Sequence, residues 1–204
     1  MIQNKKVYII LITILFVACL FSTTTFSSTG FVEDNSDNKA AIISKTVDFL
    51  KERKPGVSED RIKAIASSVY EESKRYDMDY RLVLAVMKVE SNFKNEAISR
   101  DGARGLMQIR PSSARVIARE SGVDVRGAKC LHEPEKNIKI GVSYLSKLRD
   151  MFDNIVSALH AYNAGPARVR KADSGESAKT TAFTRKVMGE YRRLAEVLPD
   201  PEEE

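Results

Sequence analysis

Apolar residues recur along this chain at three- and four-residue spacing, the period of helices rather than strands. Ile43, Val47 and Leu50 form a first stripe, which Pro55-Gly56 ends. Ile62, Ile65, Ala66 and Val69 form a second. Ser58 is placed to cap it, with Glu59 and Asp60 in the first turn, where the helix dipole favours acids. Asp79 is placed to cap a third helix over residues 80–91. Residues 82–89 are apolar nearly all round, so this helix is expected inside a bundle.

A polar loop carrying Gly102 and Gly105 spans residues 92–110. Pro111 suits the first turn of a fourth helix and Gly122 its end. Pro134 opens a fifth, with Ile138, Gly141, Val142, Leu145 and Leu148 on one face. Residues 155–162 form a sixth apolar segment, which stops at Asn163-Ala164-Gly165-Pro166. A last helix, about 181–198, carries Phe183, Val187, Tyr191 and Leu194. There is no internal repeat and no sustained strand alternation. The expected fold class is all-α.

The N-terminus has a different character. Lys5 and Lys6 precede an apolar run over residues 7–21, and a Ser/Thr-rich stretch follows up to Gly30. That order reads as an export signal or anchor over residues 1–28, since the run falls short of the roughly 20 residues that cross a bilayer comfortably. Phe16-Val17-Ala18-Cys19 resembles a lipoprotein box, which makes Cys19 a candidate for lipidation. The polar residues 29–38 read as a tether. The expected organisation is a signal or anchor (1–28), a linker and N-terminal helix (29–57), a main domain (58–198) and an acidic tail (199–204). The expected location is the periplasm or cell envelope, with the mature protein soluble or held at the membrane.

The chain has 204 residues, with 43% hydrophobic and 30% charged, and a net charge of +5. That balance supports one soluble domain with extensions. The densest basic runs, Lys51-Glu52-Arg53-Lys54 and Arg168-Val169-Arg170-Lys171, are short, and acids are interleaved through the sequence. No nucleic-acid partner is expected; mild attraction to an anionic envelope polymer fits better. Without Cys19, Cys130 has no disulfide partner. His132, His160 and Cys130 are a poor set for a metal or a nucleophile–base pair, so no metal and no cofactor is expected.

Glu90 stands out as candidate chemistry. It ends the most apolar helix and is soon followed by Gly102-Ala103-Arg104-Gly105-Leu106-Met107-Gln108-Ile109. Burial disfavours a carboxylate, and the helix C-terminus repels negative charge. Both keep the proton on Glu90 nearer to neutral pH, as a general acid requires. Taken alone, Glu90 could equally pair with Lys94 at the helix end. Asp101 is the one nearby candidate for a second carboxylate; a solvated turn residue before Gly102 is the simpler reading.

Four blocks in order carry a resemblance. They are Glu90-Ser91 with Phe93; the glycine-rich stretch 102–109 with Pro111 and Ala114; Asn137-Ile138, Gly141, Tyr144-Leu145 and Leu148; and Ala158-Leu159 with residues 161–166. Over roughly residues 62–191 the chain resembles the bacterial lytic transglycosylase domain, a relative of goose-type lysozyme. The resemblance implies a lysozyme-like helical globular domain with a substrate groove, acting on peptidoglycan glycan strands. Glu90 would protonate the β-1,4 glycosidic oxygen between N-acetylmuramic acid and N-acetylglucosamine, then accept the proton of the muramoyl 6-hydroxyl. A 1,6-anhydromuramoyl end forms and no water is consumed, so one carboxyl suffices where most glycosidases use two. Ser91 would orient the acid, and Met107, Gln108, Tyr162 and Asn163 would line the substrate site.

The sequence departs from the family at His160, where alanine is common, and at the C-terminal motif. Only Thr184 of that motif remains. Val187 stands where a tyrosine is usual, with Tyr191 one turn later as a substitute. A goose-type-lysozyme-like hydrolase of the same bond stays open, as does a non-catalytic peptidoglycan-binding or assembly protein on the same fold. Membrane association through the N-terminus and a partner in secretion or cell-wall machinery also stay open.

Overall fold

The computed structural model describes residues 29–54, 56–152, 154–172 and 180–201. The signal or anchor at 1–28, with Cys19, and the acid residues 202–204 lie outside the described residues. Residues 1–36 and 37–204 form two compact units. Of the first, only residues 29–36 are described, as the opening turns of a helix.

Eight α-helices are described: α1 Thr29–Arg53, α2 Glu59–Arg75, α3 Tyr80–Ser91, α4 Pro111–Ser121, α5 Pro134–Met151, α6 Ile155–Ala164, α7 Pro166–Ala172 and α8 Ala182–Ala195. A short 3-10 helix, Ala128–His132, precedes α5. Among the described residues there is no strand, only isolated bridges of Arg104 with Ile98 and Ile109. The all-α expectation holds.

α3 is the central element of the second unit. Leu82 through Met87 are all buried, so the helix has no solvent face over nearly two turns. Its main neighbour is α8, while α5 packs against α2, α4 and α6. From α1, Ile42, Val47, Phe49 and Leu50 join the same core, and Phe49 meets Phe93 edge-on at 6.0 Å. Burial of this size is what turns weak helix propensities into stable helices.

The start of α3 is tied to the C-terminal segment. Asp79 caps α3 by accepting from the Arg81 N–H at 2.8 Å. The Arg81 guanidinium bridges Asp79 and Asp200. The Tyr80 hydroxyl donates to the Pro199 carbonyl, and that of Tyr191 to Asp79, at 2.7 and 2.8 Å.

Three expectations change. The residues expected as a tether, 29–38, are helical. No glycine or proline interrupts residues 31–54, so a helix nucleated by packing at Ile42–Leu50 extends backward at little cost. Ser58 occupies the N-cap of α2, yet its side chain makes no cap hydrogen bond. The final helix ends at Ala195, with Thr181 and Thr184 forming a reciprocal cap at its start. α7 and the 3-10 helix were not anticipated, because each is too short to show a period. No helix among the described residues is long and apolar enough to cross a membrane.

Candidate active site

Glu90 lies in the last turn of α3, partly covered by its neighbours. Burial alone pushes its carboxyl up to about 7. Among the described residues no cation, Lys94 included, offsets that burial. The Lys88 ammonium turns instead to the Asn92 side chain. A carboxyl without a partner, half-protonated near neutral pH, is suited to donating a proton and taking one back.

Glu90 opens into a groove of about 340 Å³, within the usual range for ligand sites. One group of lining residues, Ser99, Asp101, Ala103, Gln108, Ile109, Arg110 and Ser113, comes from the loop and the start of α4. Tyr144 comes from α5. Tyr162, Asn163 and Ala164 come from the end of α6, with Gly165 and Pro166 beyond.

The loop is held from behind. Asn137, fully buried on α5, donates to the carbonyls of Arg104 and Leu131, both at 2.9 Å, and accepts from the Met107 N–H at 2.8 Å. That uses both hydrogens of its amide and one lone pair of its oxygen. Gly105 has φ +75°, and a Cβ there would sit 2.2 Å from the Leu131 carbonyl oxygen and 2.4 Å from Asn137 Nδ2. Only glycine fits. His132 lies on the same side, its two ring nitrogens at 3.1 Å from Arg104 Nη1 and 3.2 Å from the Asn95 carbonyl. Three non-glycine residues near the acid adopt left-handed backbone: Asn92 at φ 51°, Phe93 at 58° and Gln108 at 48°. Such conformations cost energy and persist where packing fixes them.

Tyr162 is buried, and its hydroxyl donates to the Met107 carbonyl at 2.8 Å. Its phenol is held well above its ordinary range by burial and, secondarily, by the charge of Glu90. Tyr144 packs beside it, ring centroids 5.3 Å apart. Burial also raises the Tyr144 phenol, while Arg110 opposes the shift.

A family model described as the transglycosylase SLT domain matches residues 67–183. The chain belongs to the transglycosylase SLT domain family. Soluble lytic murein transglycosylase of Salmonella typhimurium is 38% identical over 134 residues, 65% of this chain and 20% of that protein. Membrane-bound lytic murein transglycosylase F of Desulfosudis oleivorans is 37% identical over 132 residues, 61% of this chain and 26% of that one. Among solved structures, an inactive mutant of lytic transglycosylase Slt from Pseudomonas aeruginosa aligns with TM-score 0.59 and 26% identity, over 66% of this chain and 25% of that one. A 70-kDa soluble lytic transglycosylase in complex with bulgecin A aligns with TM-score 0.58 and 26% identity, over 82% and 29%. The chain therefore spans well under two thirds of the length of these relatives.

The SLT fold sorts the expected site residues. Glu90, Gln108, Tyr162 and Asn163 do line one groove. Ser91 does not. Its hydroxyl is buried and lies 2.7 Å from the Leu106 carbonyl and 3.1 Å from that of Met87, so it ties α3 to the glycine loop instead of touching the Glu90 carboxyl. Met107 is fully buried, and its side chain fills the space left by Gly141, where a Cβ would meet its sulfur at 2.3 Å. Gln108 spends both amide hydrogens on the carbonyls of Gly105 and Ala97, at 2.9 and 3.2 Å, and keeps its oxygen as an acceptor for a ligand. The tip of Tyr162 is likewise committed to the protein.

Val187 is fully buried, and Tyr191 does not stand in for the usual tyrosine. Its hydroxyl reaches Asp79, eleven residues before Glu90 and so roughly 16 Å away along α3. His160 is half-buried and outside the groove lining. Asp101 does line the groove, but it is well exposed and paired with Arg110 at 3.3 Å. Sequence reading passed over Tyr144 and Asn137 as site residues. Their presence in the central-helix block was the signal, and neither carries a chemistry that marks it alone. A separate cavity of about 380 Å³, floored by Leu50, Ile62, Ile65, Phe93 and Leu106, does not include Glu90.

Proposed function

We propose that this chain is a peptidoglycan lytic transglycosylase with Glu90 as its acid and base. One observation carries the reading: the unpartnered carboxyl of Glu90, raised to about 7 by burial, opens into a groove of sugar-binding size. In the first step the Glu90 carboxylic acid gives its proton to the glycosidic oxygen between N-acetylmuramic acid and N-acetylglucosamine. The bond from C1 to that oxygen breaks and the N-acetylglucosamine end leaves as an alcohol. The Glu90 carboxylate then takes the proton of the muramoyl 6-hydroxyl as its oxygen bonds to C1. Glu90 ends protonated as it began, and no water enters. Tyr162 and Tyr144 supply the flat walls that sugar faces favour, and Gln108 Oε1 and Asn163 supply polar contacts.

Asp101 supports a second reading, hydrolysis by an activated water, because it is a second carboxyl on the groove. Its carboxylate is exposed and held by Arg110, and the transfer mechanism needs no second carboxyl. Export to the cell envelope goes with either reading, from the pattern at residues 1–28 and from relatives named both soluble and membrane-bound. Attachment through Cys19 and a partner in wall or secretion machinery are parts of this proposal. The test is digestion of purified peptidoglycan and mass analysis of the released ends, with Glu90→Gln as the inactive control.

A further inference from the structure

Arg110 is the one cationic residue lining the groove among the described residues. It ends the glycine loop as the N-cap residue of α4, a position its backbone fills without using the side chain. Its side chain is 56% exposed, and the guanidinium meets the carboxylate of Asp101, a side chain 70% exposed, at 3.3 Å. A pair this open to water contributes little to stability. Tyr144 lines the same groove, and the Arg110 charge opposes the upward shift that burial gives its phenol.

The sugars of peptidoglycan carry N-acetyl groups and hydroxyls, with no net charge once the lactyl group is amide-linked. The peptide stems carry free carboxylates. On a stem-bearing strand a guanidinium therefore has nothing charged to meet on the sugars, and a planar bidentate partner on the stem. Resting on the reading of the groove as a peptidoglycan site, we infer that Arg110 recognises a stem carboxylate and makes this groove selective for strands whose stems keep free carboxylates. Asp101 is the counterion of Arg110 and competes with the stem for the same guanidinium.

The test uses the full chain carrying Glu90→Gln, so that strands are bound and not consumed. Calorimetry compares two probes: glycan oligomers whose stems have free carboxylates, and the same oligomers with those carboxylates converted to carboxamides, which keeps the lactyl group amide-linked. The parent prefers the first. Adding Arg110→Gln lowers that preference roughly tenfold, the loss of one charged hydrogen-bonded contact. Arg110→Lys, which keeps the charge without the fork, retains part of it, and Asp101→Asn raises it. A parent with no preference, or an Arg110→Gln protein with the parent's preference, overturns the inference. Cleavage of the same probes by the unsubstituted chain is followed alongside. Arg110-dependent preference without cleavage keeps the inference and sinks the enzymatic reading; cleavage without that preference does the reverse.

Discussion

The Tyr162 hydroxyl donates to the Met107 carbonyl across 2.8 Å, linking the end of α6 to the glycine loop that forms the groove's other wall. The two walls are thereby fixed relative to each other by a side chain that also lines the site. This changes what a substitution there measures. Tyr162→Phe should cost about 1 kcal/mol of stability and leave the Met107 carbonyl unsatisfied. Tyr162→Ala should cost about 3–5 kcal/mol, comparable with Leu159→Ala in the core at about 2–5 kcal/mol, and also lower turnover. Melts and turnover on the three purified variants check it. Full activity with an unchanged melt in Tyr162→Phe would show that the link does not matter.

Asn137→Ala should be more damaging than its lack of contact with the groove implies. It removes three hydrogen bonds at once, two of them buried, and each buried partner left unsatisfied costs about 1–3 kcal/mol. The glycine loop should loosen, with faster amide exchange at Met107 and lower turnover. Gly105→Ala should fail for a different reason, since the added carbon has no space and the left-handed backbone resists it. An Asn137→Ala protein with wild-type melt and wild-type exchange would contradict the assignment of that hub.

Most of the helices were legible from period and end-marking residues alone: Asp79, Pro111, Gly122 and Pro134 all mark the ends they predicted. The acid was legible because apolar periodicity and an ionisable residue rarely coincide. The directions of Ser91, Met107 and Tyr162 were not. Each lies next to the groove in sequence, but whether a polar tip meets ligand or backbone depends on carbonyls of Leu106 and Met107 that no local pattern places. The pairing of Arg110 with Asp101 was hidden similarly, since it depends on how the loop closes.

Glu90 should lower the stability of the fold as pH rises. Its folded value, about 7, stands above the ordinary 4.5. Between those values the unfolded chain loses its proton while the folded one keeps it, so stability is full below pH 4.5 and falls up to pH 7. The loss amounts to roughly 3 kcal/mol for a shift of this size. Glu90→Gln should therefore melt higher than the unsubstituted protein at pH 8 and alike at pH 4. Equal melts at both pH values would mean that the carboxyl is not desolvated.

The same group sets the activity profile. kcat/KM should decline as pH rises through about 7, where the free acid loses the proton it must donate. Activity should survive dialysis against a chelator, because no step calls on a metal. A profile flat to pH 9, or metal-restorable loss, would contradict these expectations.

The most direct measurement is the mass of the ends released from purified peptidoglycan. The account predicts muramoyl ends lighter by one water than reducing ends, with no oxygen taken from labelled water, and no such ends from a folded Glu90→Gln protein. Reducing ends carrying the label, or wild-type yields from Glu90→Gln, would contradict it.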